Sequence, residues 1–281
     1  MSADEKCSTC NQKTEGCSPD KCGLQTLPQN EYTDIKHVIA VMSGKGGVGK
    51  SSVSALIAVN LARKGYQVGI LDADITGPSI PKMFGLSGQP SHDGNVVYAV
   101  LTPEKNIKVM SLNLLLERED QPVIWRGPLI AGAVKQFWTD VAWGKVDFLV
   151  VDLPPGTGDV PLTVMQSLPL DGVIIVTSPQ DLANMVVKKA VNMVRHMNIP
   201  LVGFVENMSY LRCPECGKEI NIFGDSHAAA LATTMGLRLL EKLPLDPELA
   251  ELCDAGQVEK YDKELFQNLD DIIEKRVTSV S

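Results

Sequence analysis

The sequence lacks three features: an excess of positive charge, a long hydrophobic run and an N-terminal secretory signal. Lysine and arginine number 26 against 34 aspartates and glutamates, a formal net charge of −8. That balance argues against nonspecific binding to nucleic acid or to an anionic membrane surface. No apolar stretch approaches the ~18 residues that a membrane helix needs. The first residues are polar and acidic rather than basic and then apolar, so we expect a cytoplasmic protein with no nucleic-acid or membrane partner.

Cysteine is present but unevenly distributed. The 281 residues include seven cysteines, of which four lie in the first 22 positions: Cys7, Cys10, Cys17 and Cys22. In a reducing compartment, closely spaced cysteines are metal ligands or redox groups more often than structural disulfides. Residues 1–34 are otherwise polar and aperiodic, which indicates a tail that only a bound metal would order. The folded domain is expected over residues 35–281.

The pattern of apolar residues after this tail predicts an α/β fold. Continuous apolar runs at 37–42, 68–71, 147–152, 171–177 and 201–206 are typical of buried parallel strands. Between the first two runs, Val53, Leu56, Ile57 and Leu61 form a helical stripe, and segments 129–142, 181–197 and 225–235 predict further helices. The alternation favours a doubly wound, mostly parallel sheet with helices on both faces, whose ligands bind beyond the carboxyl ends of the strands. Residues 85–106 indicate a long excursion or hairpin with no assigned chemistry.

A phosphate-binding motif directly follows the first predicted strand. It fits G-x-x-x-x-G-K-[ST] and begins an amphipathic helix, so backbone N–H groups and the helix N-terminus would hold phosphate oxygens. Lys50 would neutralise the β- and γ-phosphates, and the Ser51 hydroxyl would ligate Mg²⁺. The alternative is a glycine turn that only starts a helix. The predicted nucleotide-binding residues here are Gly44, Lys45, Gly46, Gly47, Val48, Gly49, Lys50, Ser51 and Ser52.

Carboxylates follow two of the other predicted strands. Asp72 and Asp74 come after the second strand, and Asp152 ends the third in a pattern that fits a Walker B strand. Hydrolysis of a γ-phosphate needs a carboxylate near Mg²⁺ and a group that orients the attacking water. We therefore expect Asp152 to hold Mg²⁺ through water, whereas Asp72 could orient Lys50 or the metal shell. The alternative is that these carboxylates only cap the segments that follow.

A second cysteine motif, Cys213-Pro-Glu-Cys216-Gly, lies shortly after the fifth strand. Its tight turn aims two thiolates at one metal, which is half the ligand set of a tetrahedral zinc site or a [4Fe-4S] cluster. The other half would come from the four N-terminal cysteines or from the same pair in a second subunit across a twofold axis. The alternatives are a thioredoxin-like redox pair and a structural zinc knuckle.

The deviant motif KGGVGKS, at residues 45–51, resembles the MinD, ParA and nitrogenase iron-protein class of P-loop ATPases. That resemblance implies a homodimer in which Lys45 reaches the partner's phosphates, and it assigns to Asp74 the positioning of the nucleophilic water. It also implies that Asn207 contacts the adenine base, for which a carboxamide has both a donor and an acceptor. The alternative for Asn207 is turn capping.

Further stretches narrow the resemblance to the Mrp/ApbC group of iron-sulfur cluster carrier ATPases. They are LDADI with GPSIP, WRGP, DLPPGTGD, and ENMS ahead of Cys213 and Cys216. The group implies a homodimer that holds a labile [4Fe-4S] cluster on Cys213 and Cys216 of both subunits. It also implies weak ATP hydrolysis coupled to cluster delivery, with apo iron-sulfur client proteins and cluster scaffold proteins as partners. ATP, Mg²⁺ and the cluster are the expected cofactors.

The resemblance leaves the N-terminal cysteines and two rival functions open. Some members carry four N-terminal cysteines spaced C-x13-C-x2-C-x5-C, whereas Cys7, Cys10, Cys17 and Cys22 are spaced C-x2-C-x6-C-x4-C. We hypothesise a second [4Fe-4S] cluster or a zinc ion there, against an unliganded tail. The rival functions are a spatial-organising ATPase of the MinD/ParA type and an electron-transfer ATPase like the nitrogenase iron protein. The apolar stripe of the C-terminal segment 263–277 is expected to pack on the domain rather than to bind a membrane.

Overall fold

The computed structural model describes residues 27–74, 79–94, 96–116, 127–180, 185–224, 226 and 228–280. The N-terminal cysteines Cys7, Cys10, Cys17 and Cys22 lie outside these residues, as do the GP of GPSIP and the WR of WRGP. The strands are β1 Thr33–Ser43, β2 Val68–Asp72, β3 Val97–Tyr98, β4 Val100–Leu101, β5 Lys108–Ser111, β6 Val141–Ala142, β7 Gly144–Asp152, β8 Gly172–Thr177, β9 Leu201–Glu206, β10 Leu211–Arg212, β11 Glu219–Ile220 and β12 Leu239–Lys242. The helices are α1 Lys50–Arg63, α2 Ile80–Met83, α3 Gly127–Thr139, α4 Asp159–Ser167, α5 Met185–His196, α6 Ala228–Met235, α7 Pro247–Asp254 and α8 Leu269–Val280.

The central sheet has eight strands in the order β12-β9-β8-β1-β7-β2-β5-β4. All its neighbouring pairs are parallel except β4 with β5. Strands β2, β8 and β9 are buried along their whole length, as their continuous apolar runs predict. The mostly parallel, doubly wound sheet predicted from the sequence is confirmed.

Two apolar layers cover the two faces of this sheet. One contains Trp138, Trp143 and Phe204 and packs helices α3 to α6 on the sheet. The other contains Ile57, Phe84 and Phe148 and packs α1, α7 and α8 on the opposite face. Leu269 and Ile273 of α8 are 2% and 1% exposed within that second layer, so the C-terminal stripe packs on the domain as expected. Among the helices formed by described residues, none combines the length and apolarity that crossing a bilayer requires.

Several boundaries differ from the sequence expectations. The domain includes residues before 35, because the Leu27 N–H donates to the Ser167 carbonyl at 2.9 Å and the Trp138 indole donates to the Leu27 carbonyl at 2.9 Å. Strand β1 accordingly begins at Thr33. Helix α3 ends at Thr139, before the predicted 142, because the chain turns into strand β6. The 85–106 excursion contains β3 and β4, which pair with β6 and β5 respectively.

Candidate functional site

The carboxyl ends of the central strands bring the predicted polar residues to one edge of the sheet. In the register, Asp72 of β2 stands beside Asp152 of β7, and Val41 of β1 stands beside Asp152 on the other side. Farther along the same edge, Thr177 of β8 stands beside Glu206 of β9. This is the edge at which open α/β sheets bind ligands.

The loop between β1 and α1 has the backbone geometry of an anion site. Gly47 and Gly49 have φ of 80° and 76°, the left-handed region that glycine adopts without strain. Gly49 is the N-cap of α1, so no side chain caps the first N–H groups of that helix. Those N–H groups and the positive end of the helix dipole attract phosphate oxygens. The glycine-loop geometry that the motif predicts is present in the described chain.

Four predicted residues form one largely buried cluster under this loop, in which Lys50, Asp74 and Asp152 are buried and Ser51 is partly exposed. Lys50 Nζ lies 2.8 Å from Asp152 Oδ1 and 3.4 Å from Asp74 Oδ2, with the lysine side chain 5% exposed. The Ser51 hydroxyl donates to Asp152 Oδ2 at 2.6 Å. A hydroxyl and a carboxylate are hard oxygen donors of the kind that Mg²⁺ prefers, so Ser51 and Asp152 fit a magnesium site.

Ser54, which no sequence motif indicated, also holds Asp152. Its hydroxyl donates to Asp152 Oδ1 at 2.7 Å, and Asp152 is fully buried. Ser54 lies three residues after Ser51 on the same face of α1, which is the helical spacing that could have identified it. With Lys50 and Ser51, it satisfies both oxygens of a carboxylate that would otherwise be costly to bury.

Asp72 takes its hydrogen bonds from Ser111 and Asp74 rather than from Lys50. The Ser111 hydroxyl donates to its Oδ2 at 2.9 Å, and the Asp74 N–H donates to its Oδ1 at 3.1 Å. Burial, and then the nearby charge of Asp152, raises the pKa of Asp72 well above its ordinary value of 3.8. Ser111 closes β5, so the contact depends on strand pairing and has no local signal in the sequence. That Asp72 orients Lys50 or a metal shell stays a prediction.

The Asp72→Asn variant is expected to be more stable than the parent at neutral pH. Because folding raises the pKa of this acid, the folded protein binds its proton more tightly, and stability falls as pH rises from about 4 through the folded-state pKa. Asparagine removes that penalty, so the free energy of unfolding should rise by on the order of 1 kcal/mol near neutral pH. Urea denaturation of both proteins at acidic and at neutral pH measures it.

Asp147→Asn is the matched control with the opposite sign. Lys36 Nζ donates to Asp147 at 2.7 Å, and this hydrogen bond lowers the pKa of that carboxyl. Its stabilisation is present above the unfolded-state pKa and is lost as pH falls, so Asp147→Asn should lose stability mainly at neutral pH. A loss of stability at neutral pH in Asp72→Asn would contradict the interpretation of Asp72.

Asn207 contacts the phosphate loop in this structure. Its Nδ2 donates to the Val48 carbonyl at 2.9 Å, its backbone N–H donates to the Thr177 carbonyl at 2.8 Å, and it is 6% exposed. A Cβ atom on Gly49 would lie 2.2 Å from that Nδ2. The amide therefore braces the loop backbone, and the contact with adenine implied by the resemblance stays a prediction.

Gly49→Ala is expected to destabilise the protein more than Gly47→Ala. Both substitutions force alanine into a left-handed conformation, which costs about 1–2 kcal/mol. Only Gly49→Ala also displaces Asn207 and breaks its hydrogen bond to Val48, for about 1 kcal/mol more, since a Cβ on Gly47 has no other atom within 4 Å. Urea denaturation of both variants without nucleotide checks this difference, and equal losses of stability would refute it.

Cys213 and Cys216 lie in a short hairpin formed by β10 and β11. The Cys213 N–H donates to the Lys218 carbonyl and the Gly217 N–H donates to the Cys213 carbonyl, both at 2.9 Å. Gly217 has φ of 70°, which the tight turn requires. Both thiols are free, and Cys216 is exposed. Hydrogen bonds from the backbone N–H groups of Cys216 and Glu215 lower the pKa of Cys213, which favours the thiolate that binds metal.

The ligand set at this hairpin is a pair. Within the described ranges, His, Cys, Asp and Glu side chains form no group of three or more that could hold a metal ion. Cys253 lies in α7, where burial raises its pKa to about 11 and keeps the thiol protonated. Lys45, by contrast, is exposed at the loop, where its carbonyl accepts a hydrogen bond from the Ser43 hydroxyl at 2.9 Å.

Comparison with known proteins relates this arrangement to a family. A family model described as "ParA: NUBPL iron-transfer P-loop NTPase" matches residues 34–277. The iron-sulfur cluster carrier protein of Clostridium perfringens is 45% identical over 267 residues, which are 92% of this chain and 91% of that protein. The protein of the same name from Methanocaldococcus jannaschii is 44% identical over 257 residues, 90% and 88% of the two chains.

Solved structures give a consistent result. A nucleotide-binding protein in complex with ADP from Archaeoglobus fulgidus superposes with a TM-score of 0.76 at 46% identity, covering 83% of this chain and 91% of that one. The MinD cell division protein of Aquifex aeolicus superposes with a TM-score of 0.55 at 19% identity, covering 85% and 95%. At that identity the likeness to MinD concerns the fold alone.

Proposed function

The chain belongs to the NUBPL iron-transfer P-loop NTPase family, and from that premise we propose that it is an ATP-dependent carrier of iron-sulfur clusters. In this proposal a homodimer holds a labile [4Fe-4S] cluster as cargo and transfers it to apo-proteins. The observation that carries the proposal is the position of the cysteine hairpin. Free Cys213 and Cys216 follow strand β9 and Asn207, whose side chain contacts the phosphate loop.

The cluster part of the proposal depends on ligand number. A [4Fe-4S] cluster takes four thiolates, and one hairpin supplies two. The lowered pKa of Cys213 and the exposure of Cys216 suit a shared, releasable site on the surface. A second copy of the chain related by a twofold axis would complete it with its own pair. Whether Cys7, Cys10, Cys17 and Cys22 hold a second cluster or zinc stays a prediction.

The nucleotide part assigns roles to the buried cluster under the loop. Lys50 would neutralise the β- and γ-phosphates, and Lys45 would reach the phosphates bound by the partner subunit. Asp74 would orient a water whose oxygen bonds to the γ-phosphorus while the bond to the ADP oxygen breaks. Mg²⁺, held by Ser51 and Asp152, would supply charge neutralisation at the phosphates.

The partners we propose are apo iron-sulfur client proteins and cluster scaffold proteins, and the compartment is the cytoplasm. Eight relatives of 42–48% identity in the comparisons share the name iron-sulfur cluster carrier protein, which supports cargo transfer over spatial organisation. The C-x-x-C spacing supports a carrier over an electron-transfer ATPase. The nitrogenase iron protein, whose P-loop class this sequence resembles, uses two separated cysteines per subunit instead.

Cluster transfer to an apo-enzyme tests the proposal. The protein is reconstituted anaerobically with iron and sulfide, mixed with an apo [4Fe-4S] enzyme, and the recovered enzyme activity is followed with and without ATP. The parent should activate the apo-enzyme, and Cys213→Ala and Cys216→Ala should not. Transfer by these variants at the parent's rate would refute the proposed function.

A further inference from the structure

Glu206 is a fully buried carboxylate that the roles assigned above leave unused. It ends strand β9 and is 0% exposed. Its Oε2 accepts hydrogen bonds from the Ser209 hydroxyl and, at 2.7 Å, from the Ser226 hydroxyl. The nearest cation, Lys242 Nζ, is 4.0 Å away, and Oε1 has no hydrogen-bond partner among the described residues. A buried charge is costly unless it is well compensated, so this position demands a structural or functional reason.

The two serines on Glu206 stand at the two ends of the cysteine hairpin. Ser209 precedes β10 and Ser226 follows β11, whereas every residue from Pro214 to Gly224 is exposed. Backbone hydrogen bonds fix the first end, because the Ser209 N–H donates to the Leu243 carbonyl at 2.8 Å and the Leu245 N–H donates to the Tyr210 carbonyl at 2.7 Å. At the second end, the Ser226 hydroxyl donates to Glu206 and so ties the hairpin to the sheet edge.

The residue next to Glu206 contacts the phosphate loop. Asn207 donates to the Val48 carbonyl and lies so close to Gly49 that a methyl group there would overlap it. Met208 follows with φ of 56°, a left-handed conformation that is strained for a residue with a side chain. The Glu206 side chain thus contacts the ends of the cysteine hairpin, and the Asn207 side chain contacts the nucleotide loop. One peptide bond joins the two residues.

We infer that Glu206 is a positioning residue that couples the nucleotide loop to the cysteine hairpin, an inference that deepens the proposed function and depends on it. A shift of the loop backbone at Val48 moves the carbonyl that accepts the Asn207 side-chain hydrogen bond, and one peptide bond joins Asn207 to Glu206. Glu206 in turn accepts a hydrogen bond from each end of the hairpin, through Ser209 and Ser226. The positions of Cys213 and Cys216 therefore depend on whether the loop holds nucleotide. Their capacity to hold a cluster together with a second pair of cysteines depends on it as well.

Residue-resolved alkylation of the full-length, metal-free protein tests this coupling without any cluster. Iodoacetamide labelling of Cys213 and Cys216 is followed by mass spectrometry with and without a non-hydrolysable ATP analogue, and Cys253 is the internal reference. In the parent we expect the analogue to change the labelling rate of the pair by roughly fivefold or more. In Glu206→Gln, which keeps the size of the side chain and removes its charge, the change should shrink to within about twofold.

Ser226 provides a second pair of variants in case Glu206→Gln folds poorly. Ser226→Ala removes one hydroxyl from the carboxylate and should reduce the nucleotide effect, while Ser226→Thr keeps a hydroxyl and should restore it. Glu219→Gln is the matched control, because Glu219 lies in the same hairpin and pairs with the exposed Arg212 at 3.0 Å. It should respond to nucleotide as the parent does.

The outcomes separate this inference from the proposed function. A parent whose cysteines ignore the nucleotide, or a Glu206→Gln variant that responds like the parent at the same nucleotide affinity, would overturn the coupling. Cluster transfer could still occur in either case. Conversely, failure of the parent to load a cluster on Cys213 and Cys216 would refute the carrier proposal, while the alkylation ratios would still decide whether Glu206 couples the two sites.

Discussion

The Lys50→Met variant is expected to bind ATP about 100-fold more weakly than the parent, since charge-assisted hydrogen bonds contribute up to ~3 kcal/mol. Lys50 is the cation at the centre of the buried cluster, 2.8 Å from Asp152 and 3.4 Å from Asp74. Methionine keeps the volume of the aliphatic stem but brings no charge to the β- and γ-phosphates. It also leaves these carboxylates without their cation, which increases repulsion of a triphosphate. Isothermal titration calorimetry with ATP and Mg²⁺ measures the affinity.

Lys64→Met is the matched control for the loss of a lysine from the same helix. Lys64 lies just beyond the other end of α1, where its ammonium group is 2.7 Å from Asp270. Since that pair is partly exposed and distant from the phosphate loop, its removal should change stability by at most ~1 kcal/mol and leave ATP affinity unaltered. Parent-like ATP affinity in Lys50→Met would refute the assignment of this loop as the nucleotide site.

The double variant Cys213→Ser/Cys216→Ser is expected to lose about two iron atoms per chain after anaerobic reconstitution, which is one four-iron cluster shared by two chains. The backbone N–H groups that lower the pKa of Cys213 remain in the variant, but serine hydroxyls are poor ligands for iron. Iron and acid-labile sulfide should fall in equal amounts. The loaded parent should sediment as a dimer, and the variant should lack the dimer that this cluster bridges.

Cys253→Ser is the control for the loss of a thiol elsewhere in the chain. Its thiol is half-buried in α7 with a pKa of about 11, so it is not a thiolate at neutral pH. Iron that remains in the double variant reports on the N-terminal cysteines, and Cys7→Ala/Cys10→Ala added to it would remove that remainder. If the double variant kept the parent's iron and sulfide, the bridging site would be excluded.

The fold class and the phosphate loop could be predicted because their signals are local. A strand buried on both faces needs a continuous apolar run, and β2, β8 and β9 carry one. The loop needs glycine where φ is positive, and Gly47 and Gly49 occupy those positions within a short motif that includes Lys50. The hairpin turn at Gly217 is local in the same sense. Helix ends are harder to predict: α3 ends at Thr139 because the chain continues into β6, which pairs with the distant strand β3.

The order of the residues is enough to predict the parallel α/β architecture, the nucleotide loop, and the pair of cysteines that follows the fifth long strand. Which side chains meet at the sheet edge depends on the packed fold: Ser54 contacts Asp152 across 98 positions, Ser111 contacts Asp72 across 39, and Ser226 contacts Glu206 across 20. The physical reason is that a buried carboxylate takes its hydrogen bonds from whichever donors the strand order and register bring beside it. That order is a property of the packed sheet, and no local run of residues encodes it.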